Sequence, residues 1–142
     1  MNSNIPQHLQ PLIDTLDQMS DAGLAIGLQM RFAHPVLLVS TYPTAWLEVY
    51  DAEGLMLHDP LIHWSMSNTG VIRWDDIQIA DTKHVFARGR EFGLNHGIAC
   101  AVGPLSCRSM AGFCRKNTPF SVQEMGTIHG ILQDLHDLSL AA

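Results

Sequence analysis

Two apolar segments limit the folds open to this chain more than anything else in it. From Leu24 to Thr41 the sequence reads LAIGLQMRFAHPVLLVST, two short apolar runs broken at Ala33, His34 and Pro35. The break marks a β-hairpin or two neighbouring strands. Apolar character this continuous, without a polar residue at every second position, implies a sheet covered on both faces. A second pair of strands is expected at Leu94 to Val102 and Ser109 to Arg115, joined by a polar loop around Gly103, Pro104 and Ser106.

Helical patterns surround these strands. Residues 4 to 22 carry Ile5, Leu9, Leu12, Ile13, Leu16 and Met19 at the spacing of a helix with one buried face. Asn4 can cap it, and Gly23 is expected to end it. Pro11 either kinks this helix or begins it, leaving the first ten residues as an arm. Residues 43 to 52 return to helical character, with Tyr42, Trp46 and Tyr50 stacked at i, i+4 and i+8. A short helix is expected from Asp59, which can cap it with Pro60 in the first helical position. A short strand can follow near Trp74. Residues 82 to 93 place Val85, Phe86, Gly89 and Phe92 on one stripe behind an Asp81 or Thr82 cap. The clearest helix is the last, where Ser121 and Glu124 form a capping box ahead of Met125, Ile128, Ile131, Leu132, Leu135 and Leu138. The order predicts a mixed α/β (α+β) layer structure, an antiparallel sheet with helices on both faces.

Composition narrows the function. With 142 residues, one domain is expected. A formal charge of −6 and only eight Lys or Arg residues offer no basic face for a phosphate backbone, so direct nucleic-acid binding by this chain is not expected. The three cysteines, Cys100, Cys107 and Cys114, lie in or beside strand-like sequence rather than in paired metal motifs, and read as reduced, mostly buried thiols. The polar N-terminus lacks a secretory signal, and no apolar run approaches the roughly 20 residues of a membrane span, so a cytoplasmic location is expected. His58, Asp59 and His63 do not have the i, i+4 spacing of a helical metal pair, and no metal or other cofactor is expected. His8, His129 and His136 are expected on solvated helix faces. Neither a nucleophile elbow nor a glycine-rich phosphate loop is present, which argues against an enzyme.

The stretch Tyr42 to Trp74 is the candidate site. It holds both tyrosines and all three tryptophans of the chain. Such residues combine a large apolar body with one polar tip, so a group of them can wall a pocket or simply pack as core. Asp59 stands in an apolar run, where an ionised carboxylate is costly unless a donor meets it, and that donor is expected from a ligand.

The pattern Tyr42-x3-Trp46-x3-Tyr50-x8-Asp59-Pro60, then Trp74, Phe86 and Phe92-Gly93-Leu94-x2-Gly97, resembles the autoinducer-binding domain of LuxR-type quorum-sensing transcription regulators. The resemblance covers nearly the whole chain. It implies an α-β-α sandwich with a central antiparallel sheet of about five strands and an N-acyl-homoserine lactone held between the sheet and one helical layer. By motif it implies that the Trp46 indole N–H donates to the lactone carbonyl, Asp59 accepts from the ligand amide, and the Tyr42 hydroxyl donates to the acyl carbonyl. Tyr50 and Trp74 would line the wall, and Phe86 and Leu94 would meet the tail. Two departures stand out. Many members carry a late-strand Ser or Thr on the acyl carbonyl, whereas Met110 to Cys114 offers only Phe113 or a neighbour, and Leu61 occupies a position that is polar in some members.

Such regulators continue into a helix-turn-helix DNA-binding domain, which is absent from residues 1 to 142. The resemblance therefore implies a sensory half, working as a homodimer or paired with a full-length regulator. The alternatives are a stand-alone, ligand-independent dimerisation or anti-activator module, or a PAS- or GAF-like sensor of another small molecule.

Overall fold

The computed structural model describes residues 4–30 and 36–140. Helix α1 (Gln10–Gln18) leads into strands β1 (Gly23–Met30) and β2 (Leu37–Ser40), and helices α2 (Thr44–Ala52) and α3 (Pro60–Ser67) follow. Strand β3 (Gly70–Arg73), helix α4 (Val85–Arg90), strands β4 (His96–Val102) and β5 (Arg108–Arg115) and helix α5 (Val122–Leu140) complete the chain. The strands form one five-stranded sheet in the order β2-β1-β5-β4-β3, every neighbouring pair antiparallel. This is the expected α-β-α sandwich, with α1 and α5 on one face and α2, α3 and α4 on the other. The hairpin break at Ala33, His34 and Pro35 lies outside the described residues.

Successive residues of a strand point to opposite faces, and here the two faces receive different side chains. Toward α1 and α5 go Leu24, Ile26 and Leu28 of β1, Ile98, Cys100 and Val102 of β4, and Ala111 and Phe113 of β5. Leu9, Ile13 and Leu16 from α1 and Ile128, Leu132 and Leu135 from α5 close this face into a dry core. The alternate residues are small: Ala25 and Gly27 of β1, Gly97, Ala99 and Ala101 of β4, and Gly112 of β5. Register places Gly112 between Ala25 and Ala99, so small residues lie side by side across three strands. These small side chains leave that face shallow, and a cavity remains beneath the helices above it.

The helix signals act locally as expected, with some shifts. Ser121 and Glu124 form the reciprocal capping box at 2.8 and 3.0 Å, and Arg115 grips the Glu124 carboxylate at 3.1 and 2.7 Å. Helix α1 begins at Gln10 with Pro11 in its first turn, and of the residues before it Leu9 is already packed into the core. It ends at Gln18 rather than at Gly23, because the Met19 and Ser20 N–H groups already turn back onto Thr15, Leu16 and Asp17. Gly23 instead opens β1 with φ +107, and a Cβ there would stand 2.8 Å from the Tyr42 backbone. Asp81 caps α4, its carboxylate accepting from the Val85 and Phe86 N–H groups at 2.8 and 3.0 Å.

His136 departs from expectation. It is 3% exposed, on the inner face of α5, with Nδ1 2.6 Å from the Ser109 hydroxyl. Ser109 Oγ also accepts from the Gln29 N–H at 2.9 Å, and the Gln29 amide donates to Ser139 Oγ at 2.7 Å. Helical periodicity gives His136 the same face as Leu132 and Leu135, and partners on β1 and β5 make its burial affordable. No sequence pattern on α5 alone shows those partners.

Candidate functional site

Helix α2 carries Trp46 and Tyr50 one turn apart on the side facing the sheet. Their rings meet edge to face at 5.8 Å, and Trp46 also packs against Phe92 at 5.5 Å. Tyr42 lies in the bend before α2, not on the helix, and its hydroxyl reaches the backbone of Gly112. After α2 the chain reverses at Gly54 (φ +59) into a short 3-10 turn, Leu55–His58, which delivers Asp59 to the start of α3.

Asp59 has two jobs. Oδ1 caps α3 by accepting from the Leu61 N–H at 2.9 Å, and Oδ2 accepts from the Tyr50 hydroxyl at 2.7 Å. The expectation that a ligand alone would meet this carboxylate is therefore corrected, since the protein supplies two donors of its own. They do not offset its environment. Asp59 is 8% exposed, and burial pushes its carboxyl up to about 6 from 3.8 although both hydrogen bonds pull it down. A carboxylate has about four lone-pair positions, so capacity for a further donor remains. Burial also pushes both tyrosine hydroxyls well above their ordinary range, with the charge of Asp59 adding to the shift, so both are donors at neutral pH.

Over this group lies a cavity of ≈ 380 Å³ between the small-residue face of the sheet and helices α2, α3 and α4. Trp74 forms one wall. Its indole lies flat on Gly97, where a Cβ would stand 2.1 Å from the ring, and it stacks on Phe86 at 4.9 Å and 9°. Gly97 is thus required by the tryptophan. The Trp74 Nε1–H is buried without a hydrogen-bond partner among the described residues. Among the described residues, no hydrogen bond occupies the Tyr42 hydroxyl or the Trp46 indole N–H either.

Tyr42, Trp46, Tyr50, Asp59, Leu61, Trp74, Phe86 and Leu94 all line the cavity. Phe113 does not. It is fully buried in the core beneath α1 and α5, because the two-residue period of β5 sends Met110 and Gly112 to the cavity and Phe113 to the other side. At Gly112 a Cβ would stand 2.8 Å from both the Tyr42 hydroxyl and Leu61 Cδ1. Tyr42 and Leu61 occupy the room that a larger residue there would take. Sequence reasoning missed Ala25, Gly27, Met30, Leu38, Met56 and Met110 as lining residues. Small residues alternating with large ones along β1 and β4 were the available signal.

Other candidates lie elsewhere. A His63 ring nitrogen bonds the Leu57 carbonyl at 2.8 Å, and no group of three His, Cys, Asp or Glu among the described residues is placed to hold a metal ion. Cys100 and Cys114 are buried, and burial pushes both thiols up to about 12; Cys107 is partly exposed. Among the described residues no helix is long and apolar enough to cross a membrane.

The family model of the autoinducer binding domain matches residues 16–138. This chain belongs to the autoinducer-binding domain family. The domain is 34% identical over 68 residues to the transcriptional activator protein VanR of Vibrio anguillarum, a match covering 46% of this chain and 28% of that protein. The matched stretch thus spans well under half of that relative's length. Solved structures share the fold: N-acylhomoserine lactone dependent CepR2 of Burkholderia cenocepacia (TM-score 0.65, 17% identity, 93% of this chain and 79% of that one) is similar throughout. So is Escherichia coli SdiA in complex with octanoyl-rac-glycerol, at TM-score 0.69 and 17% identity over 97% of this chain and 61% of that one.

Proposed function

We propose that this autoinducer-binding domain senses an N-acyl-homoserine lactone and forms the sensory half of a LuxR-type transcription regulator that works as a dimer. The observation that carries the reading is the set of polar groups around one apolar cavity. Trp46 and Tyr42 each present a donor without a partner among the described residues, and Asp59 is an acceptor oriented by Tyr50 and by the first turn of α3. A ligand with two carbonyls and one N–H matches two donors and one acceptor. The Trp46 indole meets the lactone carbonyl, the Tyr42 hydroxyl meets the acyl carbonyl, and Asp59 takes the amide N–H in a charge-assisted bond. Tyr50 positions Asp59, and Leu61, Trp74, Phe86 and Leu94 surround the ligand. VanR, described as a transcriptional activator, and CepR2, described as N-acylhomoserine lactone dependent, support this assignment.

Thermal unfolding with a panel of acyl-homoserine lactones tests it. Ligand at about 100 times its Kd adds about 2.7 kcal/mol of stability, and Asp59→Asn blunts that shift. A well-folded domain whose melting temperature no lactone moves would refute the assignment. An acylglycerol is a second reading, supported by the SdiA complex with octanoyl-rac-glycerol and by the ability of Asp59 to accept from a hydroxyl as well as an amide. Stabilisation by 1-octanoylglycerol in the absence of any lactone effect would select it.

A further inference from the structure

The cavity has two ends of different chemistry. Tyr42, Trp46, Asp59 and Trp74 surround the polar end, beside the row of the sheet that pairs Ala25 with Gly112 and Ser40. The next row along the strands pairs Gly27 with Met110 and Leu38, and there the wall changes to Met30, Met110 and Leu38, while Met56 lines the cavity from the turn before α3. Met30 reaches this wall through an irregularity in β1. The register shifts between Gly27 and Met30, and Gln29 adopts a left-handed φ of 51. Gly27 leaves the room for it, since a Cβ there would stand 2.9 Å from the Met30 sulfur. Unbranched, polarisable methionines adapt to chains of differing shape. Leu38 and Met56 line the cavity and are each 46% exposed, so on this side the cavity wall is also the outer surface.

Resting on the acyl-ligand reading above, we infer that the site takes unbranched acyl chains of variable length, including chains longer than the cavity, whose terminal carbons leave through the half-exposed wall to which Leu38 and Met56 contribute. Affinity then rises with each methylene that the cavity buries and levels off once the chain reaches the rim. A sealed cavity would instead impose a sharp optimum, because an added methylene would have to overpack the wall.

The test is binding of straight-chain acyl-homoserine lactones from four to fourteen carbons to the intact chain, by calorimetry or fluorescence. Kd is expected to fall about fourfold per methylene among short chains and then to flatten, with no rejection of the longest. Leu38→Lys and Met56→Lys, both at half-exposed positions that tolerate a charge, are expected to reduce the affinity ratio of twelve- to six-carbon ligands by about tenfold. Leu105→Lys, an exposed substitution away from the cavity, leaves that ratio unchanged. A sharp optimum with tenfold weaker binding of longer chains, or rim lysines that leave the ratio untouched, overturns the inference alone. Absence of binding at every length removes it together with the lactone reading.

Discussion

The two faces of the sheet are made by the same strands and do opposite things. Toward α1 and α5, Leu24, Ile26, Ile98 and Phe113 are fully buried and interlock with Leu16, Ile128 and Leu132. Toward α2, α3 and α4 the same strands present Ala25, Gly27, Ala99 and Gly112, and a cavity remains. The closed face holds the domain together, and the hollow face leaves unfilled the volume that a ligand can occupy. A single two-residue period assigns the two roles.

Substitutions that interchange the roles should separate stability from binding. The largest expected effect is on the closed face, where Phe113→Ala costs about 3–5 kcal/mol in chemical denaturation, whether or not ligand is present. A loss below about 1 kcal/mol would mean that Phe113 is not the core residue its position indicates. On the hollow face, Ala25→Leu or Gly112→Val fills space. The Gly112 variant also presses on Tyr42 and Leu61 and costs about 1–3 kcal/mol, yet the larger consequence is loss of the ligand-induced melting shift. Persistence of that shift in both variants would show that ligand binds elsewhere.

The acidity of Asp59 sharpens the contrast. Its carboxyl is raised from 3.8 to about 6, so its contribution to the stability of the empty domain is fully present below pH 3.8 and is lost as pH rises through about 6. The whole change is on the order of 3 kcal/mol, since each pKa unit corresponds to about 1.36 kcal/mol. Asp59→Asn should flatten this part of the stability–pH curve. A ligand amide needs the ionised form, so lactone affinity in the wild type should fall as pH drops below about 6. On the closed face the polar group His136 calls for a different result. His136→Ala leaves Ser109 short of a partner and costs about 1–3 kcal/mol without changing lactone affinity measured on the folded protein. The smallest effect is expected at the outer capping box. Arg115 and the Ser121 N–H hold the Glu124 carboxyl down to about 2, so its stabilisation is present above 4.5 and lost as pH falls through about 2. Glu124→Gln should lower the melting temperature slightly at neutral pH and leave ligand response intact.

Much of this was legible before any coordinates. The capping box at Ser121, the Asp59-Pro60 start of α3 and the covered strands each follow from chemistry within a few residues, and they gave the layer order. The aromatic and acidic stretch from Tyr42 to Trp74 identified one wall of the cavity. Phe113 was misplaced because a motif position does not by itself say which way a strand residue points. His136 was misplaced because its partners, Ser109 and Gln29, lie 27 or more positions away in the chain.

What the amino-acid sequence determined by itself is therefore local and periodic: the helices, their caps, the strands, the family pattern and the residue types able to form a ligand's polar contacts. Tertiary structure alone decided that Tyr50 holds Asp59, that Trp74 lies on Gly97, that Gly112 makes room for Tyr42, and that Leu38 and Met56 line the cavity while half exposed. Each of these depends on register between strands or on how a helix or turn is packed against its neighbours. Such distances are set by the packing of every side chain between the two, and no short stretch of sequence encodes them.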